Sequence, residues 1–224
     1  MHKELTPKQK FLNDLANFFQ KFRILIAVFL AALLLSIVVV GVLSEIKKNK
    51  IEKSVRELQP VVDAFEEWKS LDSSEKEAGK DGIIEKLKSV IKDNKGTFAA
   101  EKAMFLKAEV SYNLDDYESA IAGYEELVSA EPKSLIAPNA LFNIAVCYEE
   151  LDNQEKAVEY YKKIAEDFPM DSPLSPHALY NAGRIYDSLG RTAEALETFN
   201  AVLDDYPDSN WTNSARTSII QLTE

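Results

Sequence analysis

Few residues in this chain have the types and spacing that covalent chemistry needs. It carries one cysteine and two histidines. A single cysteine excludes an intrachain disulfide framework and a multi-cysteine metal site, and two histidines leave little for a zinc centre. Cys147 falls beside Ile144, Ala145 and Tyr148 on a helical pattern, where it reads as a small core residue. His177 opens a helical stretch without an evident metal partner and reads as a surface or capping residue. The paired acids Asp115-Asp116, Glu125-Glu126, Glu149-Glu150 and Asp204-Asp205 fall on expected helix ends and solvent faces. They read as solubilising charge rather than acid–base pairs. Gly-rich phosphate loops, GxSxG, HExxH and CxxC do not occur. The expectation is a protein that is not an enzyme, with no cofactor and no metal.

What recurs instead is suited to binding. Phe105, Phe142 and Tyr180 repeat at spacings of 37 and 38, Asn143 and Asn181 follow two of them, and Arg184 lies one helical turn further on. An asparagine can hydrogen-bond an extended peptide backbone from both ends of its amide, while aromatics bury apolar side chains. These six are the candidate partner-binding residues. The competing reading is that the aromatics pack between neighbouring helices.

The same two spacings carry Leu114, Leu151 and Leu189, and Ala103, Ala140 and Ala178. They also carry Ala108, Ala145 and Gly183; Ala120, Ala157 and Ala195; Tyr124, Tyr161 and Phe199; and Pro132, Pro169 and Pro207. One inserted residue falls between Pro169 and Ala178, in a linker, so the helices keep register. Each unit reads as two antiparallel helices joined by a short turn (DDY, DNQ, GRT) and stopped by its proline. Pro138 and Pro176 suit a first helical turn. Small residues on both helices allow close approach, and a hairpin that cannot bury its apolar face alone must stack on its neighbours.

This pattern resembles the tetratricopeptide repeat, with its small residues at the eighth and twentieth positions, aromatic at the twenty-fourth and proline at the thirty-second. The first copy departs from it at Lys107 and Ser111, where the second has Ile144 and Tyr148. The phrases FPMDSPLSPHAL and YPDSNWTNSA resemble linkers of bacterial cell-envelope repeat proteins. The resemblance implies an all-α solenoid whose working surface is an inner face lined by the first helices, with Phe105, Phe142 and Tyr180 at the position that faces it.

Three full repeats are expected over about 101–134, 138–171 and 176–209. Ile83, Ile84, Leu87, Val90 and Ile91 read as a degenerate second helix upstream, with its first helix within Val61–Leu71. A lone capping helix is expected over Ser209–Glu224, so the repeat domain covers 83–224. Ile51, Val55, Leu58, Val62 and Phe65 alternate by four and three. Packing against the first unit is expected there, with a short coiled-coil dimer as the alternative. The acid-rich stretch Asp72–Asp81 reads as a loop, making 44–82 a juxtamembrane helix and loop.

Ahead of the repeats, Ile24–Leu43 is an uncharged apolar run of 20 residues. At about 1.5 Å per residue it matches the roughly 30 Å hydrocarbon thickness of a bilayer. It is longer than a signal-peptide apolar region and no small-x-small cleavage site follows it. The expectation is an uncleaved transmembrane helix over 24–43. In residues 1–23, Phe11, Leu12, Leu15, Phe18, Phe19 and Phe22 alternate with a polar face and predict an amphipathic helix on the membrane surface before the chain turns inward. Orientation is undecided by charge, since Lys3, Lys8, Lys10, Lys21 and Arg23 precede the run and Lys47, Lys48, Lys50, Lys53 and Arg56 follow it.

Net charge is −11, with 37 acids against 26 bases. Residues 60–224 carry 16 bases and 32 acids, which excludes general binding to nucleic acid. FLNDLANFFQKFRILIAVFLAAL and EKLKSVIKDNKGTFAAEKAMFLKAEVSYNLDDYESAIAGYEEL, with the order of elements, resemble the bacterial ancillary subunit of the Sec translocon with chaperone activity. That resemblance implies a single-pass inner-membrane protein with a cytoplasmic N-terminus and a periplasmic repeat domain. Its partners would be the translocon and exported envelope proteins, besides membrane lipid around the anchor. The alternative is a scaffold for an envelope assembly or division complex without chaperone activity. Partner identity and oligomeric state stay open.

Overall fold

The computed structural model describes residues 6–169 and 172–224. Lys3, counted above with the bases, and Met170 and Asp171 in the linker FPMDSPLSPHAL lie outside the described residues. Among the described residues all regular structure is helical, in nine helices: α1 (Pro7–Lys69), α2 (Ser73–Asp93), α3 (Phe98–Tyr112), α4 (Tyr117–Ala130), α5 (Ala137–Glu150), α6 (Gln154–Asp167), α7 (Ser175–Ser188), α8 (Thr192–Asp205) and α9 (Thr212–Thr223). Two compact units divide the chain at Glu52 and Lys53.

The first unit is the N-terminal part of α1. The helix starts at a capping box in which the Thr6 N–H donates to Gln9 Oε1 and the Gln9 N–H donates to Thr6 Oγ1, with Pro7 at the first helical position. The turn expected near residue 23 does not form, because Gln20-Lys21-Phe22-Arg23 contains no helix breaker and the helix runs on. Its apolar run is exposed along its length, and α1 is one helix long and apolar enough to cross a membrane.

The second unit begins with the rest of α1, where Leu58, Phe65 and Trp68 are buried. Packing into the array, not a coiled coil, is therefore what covers residues 58–68. Pro60 lies inside the helix and leaves the Arg56 carbonyl without its helical donor. α1 and α2 pair as an incomplete hairpin: the Trp68 indole N–H donates to the Lys76 carbonyl at 2.9 Å, and the Asn94 amide donates to Glu57 at 3.0 Å. The loop expected over Asp72–Asp81 is instead the first half of α2. Asp72 caps that helix by accepting from the Glu75 N–H at 2.9 Å, and acids in a first helical turn are favoured by the helix dipole.

α3/α4, α5/α6 and α7/α8 are three hairpins of one design. Each first helix ends by carrying Asp115, Asp152 or Gly190 through the left-handed region, at φ of 59°, 56° and 71°. The next N–H reaches back to Ser111, Tyr148 or Tyr186, the closing bond of a Schellman turn. Asp116 and Asn153 then cap α4 and α6. Second helices stop at Glu131, Phe168 and Tyr206, pushed out of the helical region by the prolines that follow. Each next unit starts with a serine, Ser134, Ser172 or Ser209, whose hydroxyl accepts the N–H two residues on.

The small-residue columns are buried between the paired helices. A Cβ on Gly183 would lie 2.6 Å from the Phe199 ring, which explains why this copy has glycine where the others have alanine. In the first copy, Lys107 is accommodated by pairing with Glu126 across the hairpin at 3.0 Å. The core runs unbroken from Leu58 to Ala215, closed by α9. No buried side-chain polar atom among the described residues lacks a partner.

Candidate partner-binding groove

Successive first helices leave one open cavity, of about 350 Å³. Leu58 and Val62 of α1, Phe98, Lys102 and Phe105 of α3, and Ile136 and Asn139 at the start of α5 line it. Its floor is apolar. Phe98 is 51% exposed beside it, and Leu135, next to the lining residue Ile136, is 84% exposed. The Lys102 ammonium sits 4.9 Å from the centre of the Phe105 ring, and no carboxylate among the described residues reaches ion-pair distance of it. One turn or two along the same helix, Glu109 is held above the usual carboxylate range by burial, opposed by Lys69 at 3.9 Å and by Lys102. Such a site can enclose an apolar side chain and pair with an anion beside it.

A second cavity, of about 430 Å³, lies between α6, Leu179 of α7 and α8. Lys162, Glu166 and Asp205 give it mixed charge, and it faces no first-helix surface other than Leu179.

The six residues singled out from sequence fall into two groups. Phe105 lines the groove while packing on Tyr124 at 5.3 Å. Phe142 packs on Tyr161 at 5.1 Å and on His177 at 4.8 Å. Tyr180 packs on Phe199 at 5.6 Å and on Trp211 at 5.1 Å. Each of these two rings is therefore covered by an aromatic from the following unit. Asn143 donates to the Tyr124 hydroxyl at 2.9 Å, and Arg184 to Glu149, which also accepts from the Tyr161 hydroxyl at 2.7 Å. Burial holds the Tyr124 and Tyr161 hydroxyls well above their ordinary range, so both stay protonated, the first accepting from Asn143 and the second donating to Glu149. Asn181 makes no side-chain hydrogen bond among the described residues.

Groove residues that sequence reading missed share columns of the repeat. Lys102, Asn139 and His177 occupy one column, and Phe98 and Leu135 another, at the 37–38 spacing. His177 stacks flat on Trp211, with ring centres 3.9 Å apart, and shields Phe142. It neither caps a helix nor stands free on the surface, as its position in sequence had suggested. Asn139, one unit earlier, is smaller than His177 and lines the cavity together with Phe105, which is itself buried.

Other chemistry-bearing groups serve packing. Cys147 is fully buried, and burial, reinforced by the Glu150 carboxylate, pushes its thiol up to about 12. Two of the paired acids expected to supply solubility also tie units together, Glu125 accepting from Tyr160 and Glu149 from Arg184, and Glu101 and Glu155 do the same with Ser134 and Arg191. No group of three potential metal ligands occurs among the described residues.

Comparison with known proteins places this architecture. No curated protein matches the chain. A tetratricopeptide repeat protein from Parabacteroides merdae superposes with a TM-score of 0.53 at 18% identity, over 78% of this chain and 60% of that one. This chain thus spans less than two thirds of that protein's length. The MamA protein superposes with a TM-score of 0.51 at 16% identity, over 74% of this chain and 80% of that one. At these identities the likeness is one of fold. A family model described as the TT21 fifth ARM repeats domain matches residues 101–223, from the first turn of α3 to the end of α9. Because that match takes in more than half of the sequence, the chain belongs to this family of helical repeat domains, with an architecture of the tetratricopeptide type.

Proposed function

We propose that this is a membrane-anchored protein-interaction module of the cell envelope, which takes segments of other proteins into the groove between α1, α3 and α5. The observation that carries the reading is the cavity itself. Three successive first helices present an apolar floor and one unneutralised cation, beside the exposed Phe98 and Leu135. Large apolar side chains exposed beside an apolar cavity are the kind of surface that interaction sites use. The uncharged run Ile24–Leu43 supports an anchor, and helical repeats present binding surfaces rather than catalytic clefts.

The narrower reading is a translocon-associated chaperone or adaptor that receives exported proteins on the periplasmic side of the inner membrane, its N-terminus cytoplasmic. Sequence resemblance supports it, together with the strongly acidic repeat domain. A photoreactive residue replacing Phe98 or Asn139 should crosslink in cells to many exported proteins and to the translocon. One replacing Phe142, half-buried against Tyr161 and His177 outside this cavity, should crosslink less. One or two stoichiometric folded partners would favour the scaffold reading instead. If neither groove position contacts another protein, the binding reading fails. A topology reporter fused after Glu224 tests the compartment, and a cytosolic signal overturns it.

A further inference from the structure

The strongest unexplained surface lies in the N-terminal unit. Phe11, Leu15, Phe18, Phe22, Leu25 and Phe29 recur at alternating steps of four and three along α1. The same register runs on through the apolar run to Ile46 and ends at Lys50. Leu12 and Phe19 widen the stripe on one side, while Asn13, Asp14, Asn17, Gln20 and Lys21 occupy the other positions. Phe11 is 66% exposed, Phe18 52% and Phe19 53%. From this we infer that α1 pairs with α1 of a second copy along this stripe, as a parallel left-handed coiled coil entering the membrane.

The inference rests on reading Ile24–Leu43 as a span, and three arguments commit it to a second copy. First, α1 is unbroken between Phe22 and Ile24. If the 20-residue run crosses the bilayer, the stripe before it continues out of the hydrocarbon along the same axis. It cannot lie flat on the headgroups, so lipid does not cover it. Second, every copy crosses the membrane in one orientation, so pairing is parallel and each stripe residue meets its own counterpart in a self-complementary interface. Of the two columns beside the seam one is Leu12 and Phe19 and the other Asp14 and Lys21, and in a parallel pair each faces the partner's opposite column, so no like charges are forced together there. Third, the area suffices. Phe11, Leu15 and Phe18 of the stripe with Leu12 and Phe19 beside it, 41–66% exposed, offer roughly 500 Å² per copy, hence about 1,000 Å² for the pair, the lower bound for a specific interface, before the membrane segment adds to it.

The test is disulfide crosslinking of the full-length chain in membranes, in a Cys147→Ser background, with Cys147→Ala as a second background should the first fold poorly. Single cysteines are introduced as Phe11→Cys, Leu15→Cys, Phe18→Cys and Phe22→Cys, and on the polar face as Asn13→Cys, Asn17→Cys and Gln20→Cys. On oxidation, stripe positions should give several-fold more species of twice the chain mass than polar-face positions. A yield flat with position overturns the inference, as does an adduct of another mass in place of the dimer. Alkaline extraction in parallel reports on the anchor. Release from the membrane overturns the span and this inference with it, whereas retention with a flat crosslinking profile overturns the seam alone.

Discussion

At the turn of each hairpin one residue must enter the left-handed region, and the three copies meet that demand differently. Gly190 does so without steric cost, while Asp115 and Asp152 bring a Cβ into a conformation that side chains disfavour. Gly190→Ala should therefore destabilise the repeat domain by about 1 kcal/mol, and Asp152→Gly should stabilise it by about 0.5 kcal/mol after the added unfolded-state entropy is counted. Denaturant titration of the two variants checks both signs. His177 sets a second residue-scale expectation. Burial between Phe142 and Trp211 holds its pKa below the ordinary 6.5. A depressed histidine contributes stability that is present above the unfolded value and is lost as pH falls through the folded one. The melting temperature of the wild type should thus drop more between pH 7 and pH 5 than that of His177→Phe, which has no charge to bury. Equal pH dependence of the two proteins would show that the imidazole takes up its proton in place.

Helices were legible in the sequence wherever packing forces a residue type. Columns of small residues follow from close approach, as Gly183 against the Phe199 ring shows, so hairpins and register could be read directly. The first half of α2 was not, because composition outweighed a local signal. An acid-rich stretch with a glycine looks like a loop, yet Asp72 and Glu75 form a cap that starts a helix. The groove was the least legible part. A column position says that Phe105, Phe142 and Tyr180 are equivalent, yet Phe105 is buried while Phe142 and Tyr180 are half-buried, each set by its own neighbours. His177 and Trp211 cover two of the rings, and Asn139 leaves the third beside a cavity. This difference is testable at the scale of helix packing. Asn139→His, copying the third unit, should stack on Phe105 and close the groove, abolishing crosslinks from Phe98 while leaving thermal stability equal or higher. The carboxylate of Glu149 makes a further element-scale case, since it joins Tyr161 of α6 and Arg184 of α7. A double-mutant cycle between Arg184→Met and Glu149→Gln should return a coupling of about 0.5 kcal/mol, small because the pair is partly exposed.

For the molecule as a whole, one core runs through hairpins that each touch only their neighbours, while the charge of the repeat region is shared by all of them. Residues 60–224 carry twice as many acids as bases. Among the described residues each ion pair in this region keeps at least one partner exposed, and Lys163–Asp167 and Lys88–Glu85 keep both, so such pairs contribute little. Summed repulsion among the unpaired carboxylates should therefore outweigh the attraction of the pairs. The Debye length falls from about 30 Å at 0.01 M salt to about 8 Å at 0.15 M, so added salt screens repulsion between units more than it weakens contacts within them. The melting temperature of the soluble repeat region should accordingly rise as sodium chloride increases over this range. Lys102, a cation facing an acidic field from its own domain, should respond in the opposite sense. Salt ought to weaken capture of an acidic apolar peptide at the groove even as it stabilises the fold, and Lys102→Gln should remove that salt dependence of binding without changing that of melting. A melting temperature that falls with salt would mean that the inter-unit pairs, Arg184–Glu149 and Arg191–Glu155 above all, hold the array together more strongly than their exposure allows.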